Sequence, residues 1–389
     1  MDVSAGAFER DVHCLLGLPF DAIDMAGAVR RVRSAAETRQ RVFISTPNLN
    51  FVIGCRSDAR FRDSVIQSDL SVADGMPVVW VARLLGVPIR ERVAGSSLFE
   101  RLRQGPAHTL KVYFFGGAAG VAETACRRVN AENRGVVCVG FESPGYGSVE
   151  DLSRDACIER INASGADFLV VSLGAKKGQA WIERNRARLT VPAVSHLGAV
   201  LNFAAGTVLR APQWMQRAGL EWTWRIKEEL GLARRYLGDG LAFLWLLATR
   251  VLPLAWMIRR HRPSASGLAA ARIEIRESGQ EMVVALRGPW THANLDAVRA
   301  AFHEGARRDK RLRIDLEAAT YVDASFLGLL LILYGVRSSR GMPLSCQPVS
   351  PLLRRTLRYA CVDFLLDDTD TGGFRLGEAG ELESTKVAA

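Results

Sequence analysis

The chain has 389 residues, of which 48% are hydrophobic, and a formal net charge of +10. This is enough apolar material to bury the cores of two or three domains, which excludes an intrinsically disordered chain. The seven cysteines are odd in number, widely spaced and never arranged as C-x-x-C, which argues against a disulfide scaffold and a zinc site. The first twenty residues lack the basic start and apolar run of a signal peptide. We therefore expect a globular protein of the cytoplasm.

Residues 1–204 alternate short apolar runs with amphipathic segments, which is typical of strands separated by helices. Five runs are expected to be buried strands: Arg41–Ser45, Lys111–Phe115, Val136–Val139, Asp167–Leu173 and Val191–His196. This alternation predicts a parallel α/β sheet. Ligands of such sheets bind beyond the carboxyl ends of the strands, so the residues that follow each run are the first candidates for a site.

Polar side chains follow several of these runs. Thr46 and Asn48 come directly after the first strand, Asp74 stands before a glycine at the end of another apolar stretch, and Arg92 precedes an expected helix start. Taken singly, Asn48 also fits a helix N-cap and Asp74 a turn.

Gly116 and Gly117 lie between an expected strand and an expected helix, where a diphosphate can approach backbone N–H groups. No P-loop, H-E-x-x-H motif or other metal-ligand spacing accompanies them, so we expect neither a metal nor a cofactor.

Residues 205–262 carry ten basic and four acidic residues, so the positive charge of the chain is concentrated there. Within this appendage, Leu241–Ile258 is mostly apolar but is interrupted by one arginine and one proline. An arginine at the centre of a membrane span costs about 2.5 to 3.5 kcal/mol, so an interfacial helix on an anionic membrane surface is favoured over a span. A pair of core helices is the alternative. Nucleic-acid binding is not favoured, because aromatic and basic residues are not interleaved elsewhere.

Residues 263–271 (PSASGLAAA) are expected to form a linker, 272–370 a second, small α/β domain, and 371–389 a flexible tail. The expected elements of the second domain are strands at Met282–Leu286, Leu312–Leu316 and Leu344–Gln347 and helices at Asn294–Ala306 and Ser325–Arg337.

Eight segments of the first part occur in an order that resembles one protein family. They are TPNLN from Thr46, ADGMPVVW from Ala73, RVAGSSLF from Arg92, FFGGAAGVAE from Phe114, PGYG from Pro144, SLGAKKGQAWI from Ser172, RAPQWM from Arg210 and GLEWTWRI from Gly219. Over roughly residues 12–245 the chain resembles the WecG/TagA/CpsF glycosyltransferases. The resemblance implies a Rossmann-like, inverting, metal-independent enzyme of exopolysaccharide or cell-surface glycan synthesis. Such an enzyme moves a sugar from a UDP-sugar to a polyprenyl-diphosphate-linked saccharide.

The resemblance also implies roles for single residues. Asp74 falls at the proposed general base, Thr46 and Asn48 at polar substrate contacts, and Arg92 at a substrate-binding arginine. Without a metal, the departing diphosphate would be stabilised by arginines and backbone N–H groups, for which Arg92, Gly116, Gly117, Arg210 and Arg225 are the candidates.

One motif departs from the family pattern. The usual G-x-P-K-Q-E-x-W reads GAKKGQAW from Gly174 to Trp181, so Gly178 stands at the family glutamine and Gln179 at the glutamate. Gln179 is retained as a candidate sugar contact. The altered motif also supports an alternative function, a catalytically decayed transferase that acts as a regulatory binding protein.

The second domain resembles STAS (anti-anti-sigma-like) domains through IDL at Ile314, YVDASFLG from Tyr321 and GMPLSCQPVS from Gly341. Ser325 then aligns with the serine phosphorylated in sporulation-type members and is a candidate phosphorylation site. Because Ala324 and the bulky Phe326 depart from the usual loop, docking of a protein partner is favoured over phosphorylation.

Overall fold

The computed structural model describes residues 5–105, 109–212, 214–215, 219, 221–228, 233–342 and 344–366. The predicted tail, 371–389, lies outside these residues. Within them the chain forms an α/β domain, an appendage and a second α/β domain with its own sheet. The predicted fold class is confirmed.

Among its described residues, the first domain contains eight strands: β1 Val12–Leu15, β2 Leu18–Asp21, β3 Val42–Ser45, β4 Leu70–Ser71, β5 Leu110–Gly116, β6 Val136–Glu142, β7 Phe168–Ser172 and β8 Ala193–His196. Its helices are α1 Ala5–Phe8, α2 Met25–Thr38, α3 Leu49–Ser57, α4 Ala59–Ile66, α5 Met76–Leu85, α6 Gly95–Arg103, α7 Val121–Glu132, α8 Asp155–Ala163, α9 Ala175–Asn185 and α10 Val200–Ala205. The five predicted strands of this domain are all present. The antiparallel hairpin β1–β2 was not predicted.

Strands β3 to β8 form one parallel sheet in the order β4-β3-β8-β7-β5-β6. Alternate side chains enter two different cores, because successive residues of a strand point to opposite faces. In β5, Val112 and Phe114 pack with α2, α6, α7 and α10, whereas Tyr113 and Phe115 pack with α8 and α9. Helices therefore cover both faces, and the carboxyl ends of all six strands meet along one edge.

The appendage contains the helix α11 Glu221–Glu228 and the long helix α12 Ala233–Arg260. A π-helical turn interrupts α12 at Leu247–Val251, just before Pro253. The side chains of Leu246, Val251 and Leu254 are buried against the rest of the protein, while another side of α12 is exposed.

The second domain contains strands β9 Arg272–Ser278, β10 Glu281–Trp290, β11 Arg311–Leu316, β12 Ala319–Val322 and β13 Leu344–Val349. Its helices are α13 Ala265–Ala269, α14 Asp296–Arg307, α15 Ala324–Ser338 and α16 Pro351–Tyr359, with short 3-10 turns at His292–Asn294 and Asp363–Leu365. The sheet is mixed, since β9 pairs antiparallel with β10 while the other pairs are parallel. The expected linker, 263–271, contains α13, which begins after an N-cap at Ser264.

The two domains share one hydrophobic core. Phe20 from the hairpin, Val79 from α5, Val251 from α12 and Leu330 from α15 belong to the same buried cluster. The second domain is therefore packed against the first and is not suspended from it.

Candidate active site

Two loops at the carboxyl edge of the sheet bring Asp74 into a defined position. The Asp74 N–H donates to the carbonyl oxygen of Pro47 at 3.0 Å, which ties the loop after β4 to the loop after β3. Asp74 Oδ2 accepts a hydrogen bond from the N–H of Gly95, the first residue of α6, at 3.2 Å. Gly75, with φ of +151°, then turns the chain into α5. The carboxylate is thus held at a helix N-terminus, half-buried.

Thr46 and Asn48 lie beside this carboxylate. A Cβ on Gly95 would lie 3.4 Å from Thr46 Oγ1, and one on Gly75 would lie 3.7 Å from Asn48 Cβ. Asn48 is the N-cap of α3, where its Oδ1 accepts from the Phe51 N–H at 3.2 Å. The cap uses Oδ1, so Nδ2 is the group of Asn48 that carries donors for a ligand. The structure brings Thr46, Asn48 and Asp74 together.

The start of the appendage folds over the same edge. Arg92 forms an ion pair with Glu221 of α11, and Arg210 donates to Ser97 Oγ at 3.0 Å. Burial lowers the pKa of Arg210, and the negative charge of Glu221 opposes this shift. The charges of Arg92 and Asp74 also act on Arg210, so these two predicted arginines lie near each other and near Asp74. The side chain of Arg225, the third, lies outside the described residues.

A cavity of about 180 Å³ opens beside Arg210, between α6, α7 and α10. Arg103, Arg128 and Glu100 line it together with the ring of Phe203. Arg103 forms ion pairs with Glu100 and Glu132, and Arg128 donates to the Ala205 carbonyl oxygen at 2.8 Å.

The glycine loop lies further along the edge. Gly116 has φ of +110°, and a Cβ there would lie 2.5 Å from the Ser172 carbonyl oxygen, so glycine allows β5 to approach the end of β7. The Gly117 N–H donates to that same oxygen at 2.9 Å. The Gly117 N–H would have to leave the Ser172 carbonyl oxygen in order to donate to a phosphate.

The altered motif places Gln179 in the interior. Its side chain is 0% exposed and donates from Nε2 to Ser45 Oγ at 2.9 Å. Gln179 therefore lies beneath β3 and is not brought to the open edge with Asp74. Next to it, a Cβ on Gly178 would lie only 2.1 Å from His196 Cδ2. The imidazole of His196 thus occupies the space in which a side chain at position 178 would have to begin.

Two structural features were not recognised in the sequence. His196 is buried, its Nε2 bonds to the Leu173 carbonyl oxygen at 2.6 Å, and burial lowers its pKa. Tyr146, within the PGYG segment after β6, is fully exposed (100%). Strand β6 is the outer strand on one side of the sheet, and β4, which leads to Asp74, is the outer strand on the other side. Five interstrand spacings separate the two edges, about 24 Å. The glycines that flank Tyr146 were the signal for an exposed loop.

Among the described residues, no group of three or more His, Cys, Asp or Glu side chains is arranged to hold a metal ion. The positive charge near Asp74 comes from arginines.

Helix α12 is long and apolar enough to cross a membrane. The exposed side of this helix carries large apolar residues, namely Leu237, Leu241, Leu244, Trp245, Leu252 and Trp256. A hydrogen bond from Asn50 Nδ2 to Asp239 Oδ2, at 3.3 Å, joins α12 to the helix that Asn48 caps.

Comparison with known proteins identifies the families of both domains. The family model described as "Glycosyl transferase WecG/TagA/CpsF family" matches residues 13–255, and "Mlab, STAS domain" matches residues 273–367. An N-acetylglucosaminyldiphosphoundecaprenol N-acetyl-beta-D-mannosaminyltransferase of Bacillus spizizenii is 31% identical over 50% of this chain and 74% of its own length. Proteins of the same name from Bacillus subtilis and Staphylococcus aureus are 28% and 25% identical, over 47% and 54% of this chain and 70% and 82% of their own lengths. The chain therefore belongs to the WecG/TagA/CpsF family of glycosyltransferases and carries a C-terminal STAS domain.

Proposed function

We propose that the protein transfers a sugar from a UDP-sugar to a polyprenyl-diphosphate-linked saccharide, with inversion at the sugar carbon and without a metal. The observation that carries the proposal is the grouping of Asp74, Thr46 and Asn48 with Arg92 and Arg210 at one sheet edge. The names of the relatives support the acceptor, since each names a diphosphoundecaprenol-linked N-acetylglucosamine.

Asp74 is the general base of this reaction. Its carboxylate takes the proton from the acceptor hydroxyl while the hydroxyl oxygen attacks the anomeric carbon. The bond from that carbon to the diphosphate breaks, and UDP leaves with the electron pair. Direct displacement of this kind inverts the anomeric centre.

The leaving diphosphate gains negative charge, which Arg92 and Arg210 are placed to stabilise. Glu221, which forms the ion pair with Arg92, would give way to the diphosphate. The nucleoside then extends from the arginines along the carboxyl ends of the strands, in the direction of the glycine loop.

The acceptor lipid supports a location at the inner face of the cell membrane. Exposed Trp245 and Trp256 of α12 suit the headgroup region, and the basic residues of 205–262 suit anionic lipid. Because other side chains of α12 are buried against the protein, peripheral attachment along the helix is preferred to a span.

Transfer of radiolabelled sugar is the direct test. Purified protein, a panel of UDP-sugars that includes UDP-N-acetylmannosamine, and a polyprenyl-diphosphate-linked N-acetylglucosamine are mixed in excess EDTA. We expect a labelled lipid product. Dependence of the product on added Mg²⁺ or Mn²⁺ would refute the metal-independent mechanism.

The decayed-transferase alternative rests on the altered segment at Gly178 and Gln179. It predicts no turnover of any donor in this assay, even though UDP binds.

A further inference from the structure

The face of α15 that carries Ser325 is covered by the first domain. Ser325, Gly328 and Gly335 lie on one side of the helix, because Gly328 is three residues and Gly335 is ten residues after Ser325. A Cβ on Gly328 would lie 2.3 Å from the Val12 carbonyl oxygen of β1, and one on Gly335 would lie 2.9 Å from Ile66 Cγ2 of α4. Glycines at both positions allow the helix backbone to approach the first domain closely.

A chain of hydrogen bonds, buried at Ser325 and His13 and exposed at Asp11, closes the same contact. Ser325 Oγ lies 3.0 Å from His13 Nδ1, and His13 Nε2 lies 3.0 Å from Asp11 Oδ1. Ser325 is 5% exposed and His13 is 3% exposed. Burial lowers the pKa of His13, which favours a neutral ring that donates from Nε2 to Asp11 and accepts from the Ser325 hydroxyl. Asp323, the N-cap of α15, is also close to this ring.

The hairpin that α15 covers is bonded in turn to the strand that leads to Asp74. Asp21 Oδ2 of β2 accepts from the Ser71 N–H of β4 at 2.7 Å, and Ser71 is three residues before Asp74. Arg10 pairs with Asp21 at 2.7 Å, and Arg299 of α14 donates to the Arg10 carbonyl oxygen at 3.2 Å. A continuous set of contacts therefore runs from the STAS domain to the carboxylate.

We propose that the Ser325 face of α15 is the binding surface for the transferase domain's own β1–β2 hairpin, and that this contact holds the β4 loop so that Asp74 is correctly placed. The part concerning Asp74 rests on the proposed function, whereas the binding of the hairpin does not. An outside protein can reach Ser325 only after the hairpin has left. A negative charge at position 325 would be buried close to Asp323, two residues before it at the start of α15, and would separate the two domains.

Hydrogen exchange of the full-length protein tests both parts without any substrate. In Ser325→Asp we expect at least 10-fold faster exchange of the amides of Val12–Asp21 and of Ser71–Asp74, while β5 and β7 keep their slow exchange. Ser339→Asp is the matched control, because Ser339 is exposed at the other end of the same helix and should exchange as the unaltered protein does.

A milder variant covers the case in which Ser325→Asp fails to fold. Ser325→Ala removes one hydrogen bond and leaves His13 Nδ1 buried, so we expect exchange in the hairpin to rise by about 5- to 100-fold. Unchanged exchange of the hairpin in both variants would overturn the proposal that the Ser325 face of α15 binds the hairpin. Faster exchange of the hairpin with unchanged exchange of Ser71–Asp74 would overturn the link to Asp74.

Turnover separates this proposal from the proposed function. If the protein transfers sugar, Ser325→Asp should lower kcat by 10-fold or more, whereas Ser339→Asp should not. If the unaltered protein transfers no sugar, the proposed function fails, while the exchange comparison still decides whether the hairpin binds α15.

Discussion

Asp74 and Gly95 are joined by a hydrogen bond of 3.2 Å from the first N–H of α6 to Oδ2 of the carboxylate. The positive end of a helix favours the ionised form of a nearby carboxyl group. The bond therefore fixes the orientation of the Asp74 carboxylate at the start of α6.

Replacing Asp74 by Asn should remove the base and keep the fold. The amide oxygen can still accept from Gly95, so the thermal midpoint should stay close to that of the unaltered protein. General-base assistance contributes about 10²- to 10⁴-fold, and kcat should fall by that amount with little change in UDP-sugar affinity. Asp155→Asn, at an exposed position of α8, is the control. Near-normal turnover of Asp74→Asn would identify Asp74 as a structural turn residue.

The ion pair between Arg92 and Glu221 should respond in opposite directions to changes in its two members. Arg92→Gln removes a charged donor to the diphosphate and should weaken UDP binding by about 10- to 100-fold. Glu221→Gln removes the competitor for Arg92 and should strengthen UDP binding several-fold. Titration calorimetry with UDP measures both. Weaker binding in both variants would show that Glu221 supports the site and does not compete with the ligand.

Removal of the exposed indoles from α12 should weaken membrane binding. Trp245→Ser with Trp256→Ser should lower partitioning onto anionic vesicles by about 10-fold or more, because apolar area buried in the interface is lost. High salt should weaken the binding of the unaltered protein without abolishing it. Ile275→Ser, an exposed apolar residue of β9, is the control. Resistance of the protein to extraction from membranes by alkaline carbonate would contradict peripheral attachment.

A side chain at position 178 should be destabilising. In Gly178→Ala the new Cβ would meet the ring of His196 at 2.1 Å, and we expect a loss of about 1 to 3 kcal/mol in the free energy of unfolding. Gly174→Ala, at the N-cap of the same helix, has no atom within 4 Å of its new Cβ and should be nearly neutral. Urea unfolding compares the two. Equal stability would mean that His196 turns aside without cost.

Acidification should lower stability through His13 and His196. Burial lowers the pKa of both, so below the ordinary histidine pKa of about 6.5 the unfolded chain binds more protons than the folded one. Stability should therefore fall as the pH drops below about 6.5, by at most about 1.4 kcal/mol per pH unit for each histidine. His13→Gln should flatten this slope in denaturant titrations at several pH values. Burial raises the pKa of Asp323, so the contribution of this group to the free energy of unfolding increases as the pH falls.

The sequence predicted most of the sheet, because buried parallel strands are continuous apolar runs such as Asp167–Leu173. The hairpin β1–β2 escaped notice, since its four-residue strands contain histidine, proline and aspartate and are stabilised by packing on α15. The grouping of Thr46, Asn48 and Asp74 followed from their place after strands. The interior position of Gln179 could not be predicted from its place in the sequence. It depends on β8, because His196 at the end of that strand fills the space beside Gly178.

The domain contact also could not be predicted from composition. Helix α15 is apolar nearly all round, which indicates burial on every side, but the sequence does not say what covers the second side. The glycines at 328 and 335 are the local signal, because they recur on the side of the helix that carries Ser325.

The short path from α12 through α13 to β9 has a consequence for the strength of the domain contact. A tether of this length keeps the two surfaces at an effective concentration in the millimolar range. An interface with an intrinsic Kd of about 1 μM would then be closed about a thousand times more often than open, although two separate chains at submicromolar concentrations would mostly be apart. Fusion lets the chain maintain with a modest interface an association that two separate gene products could keep only with a far tighter one.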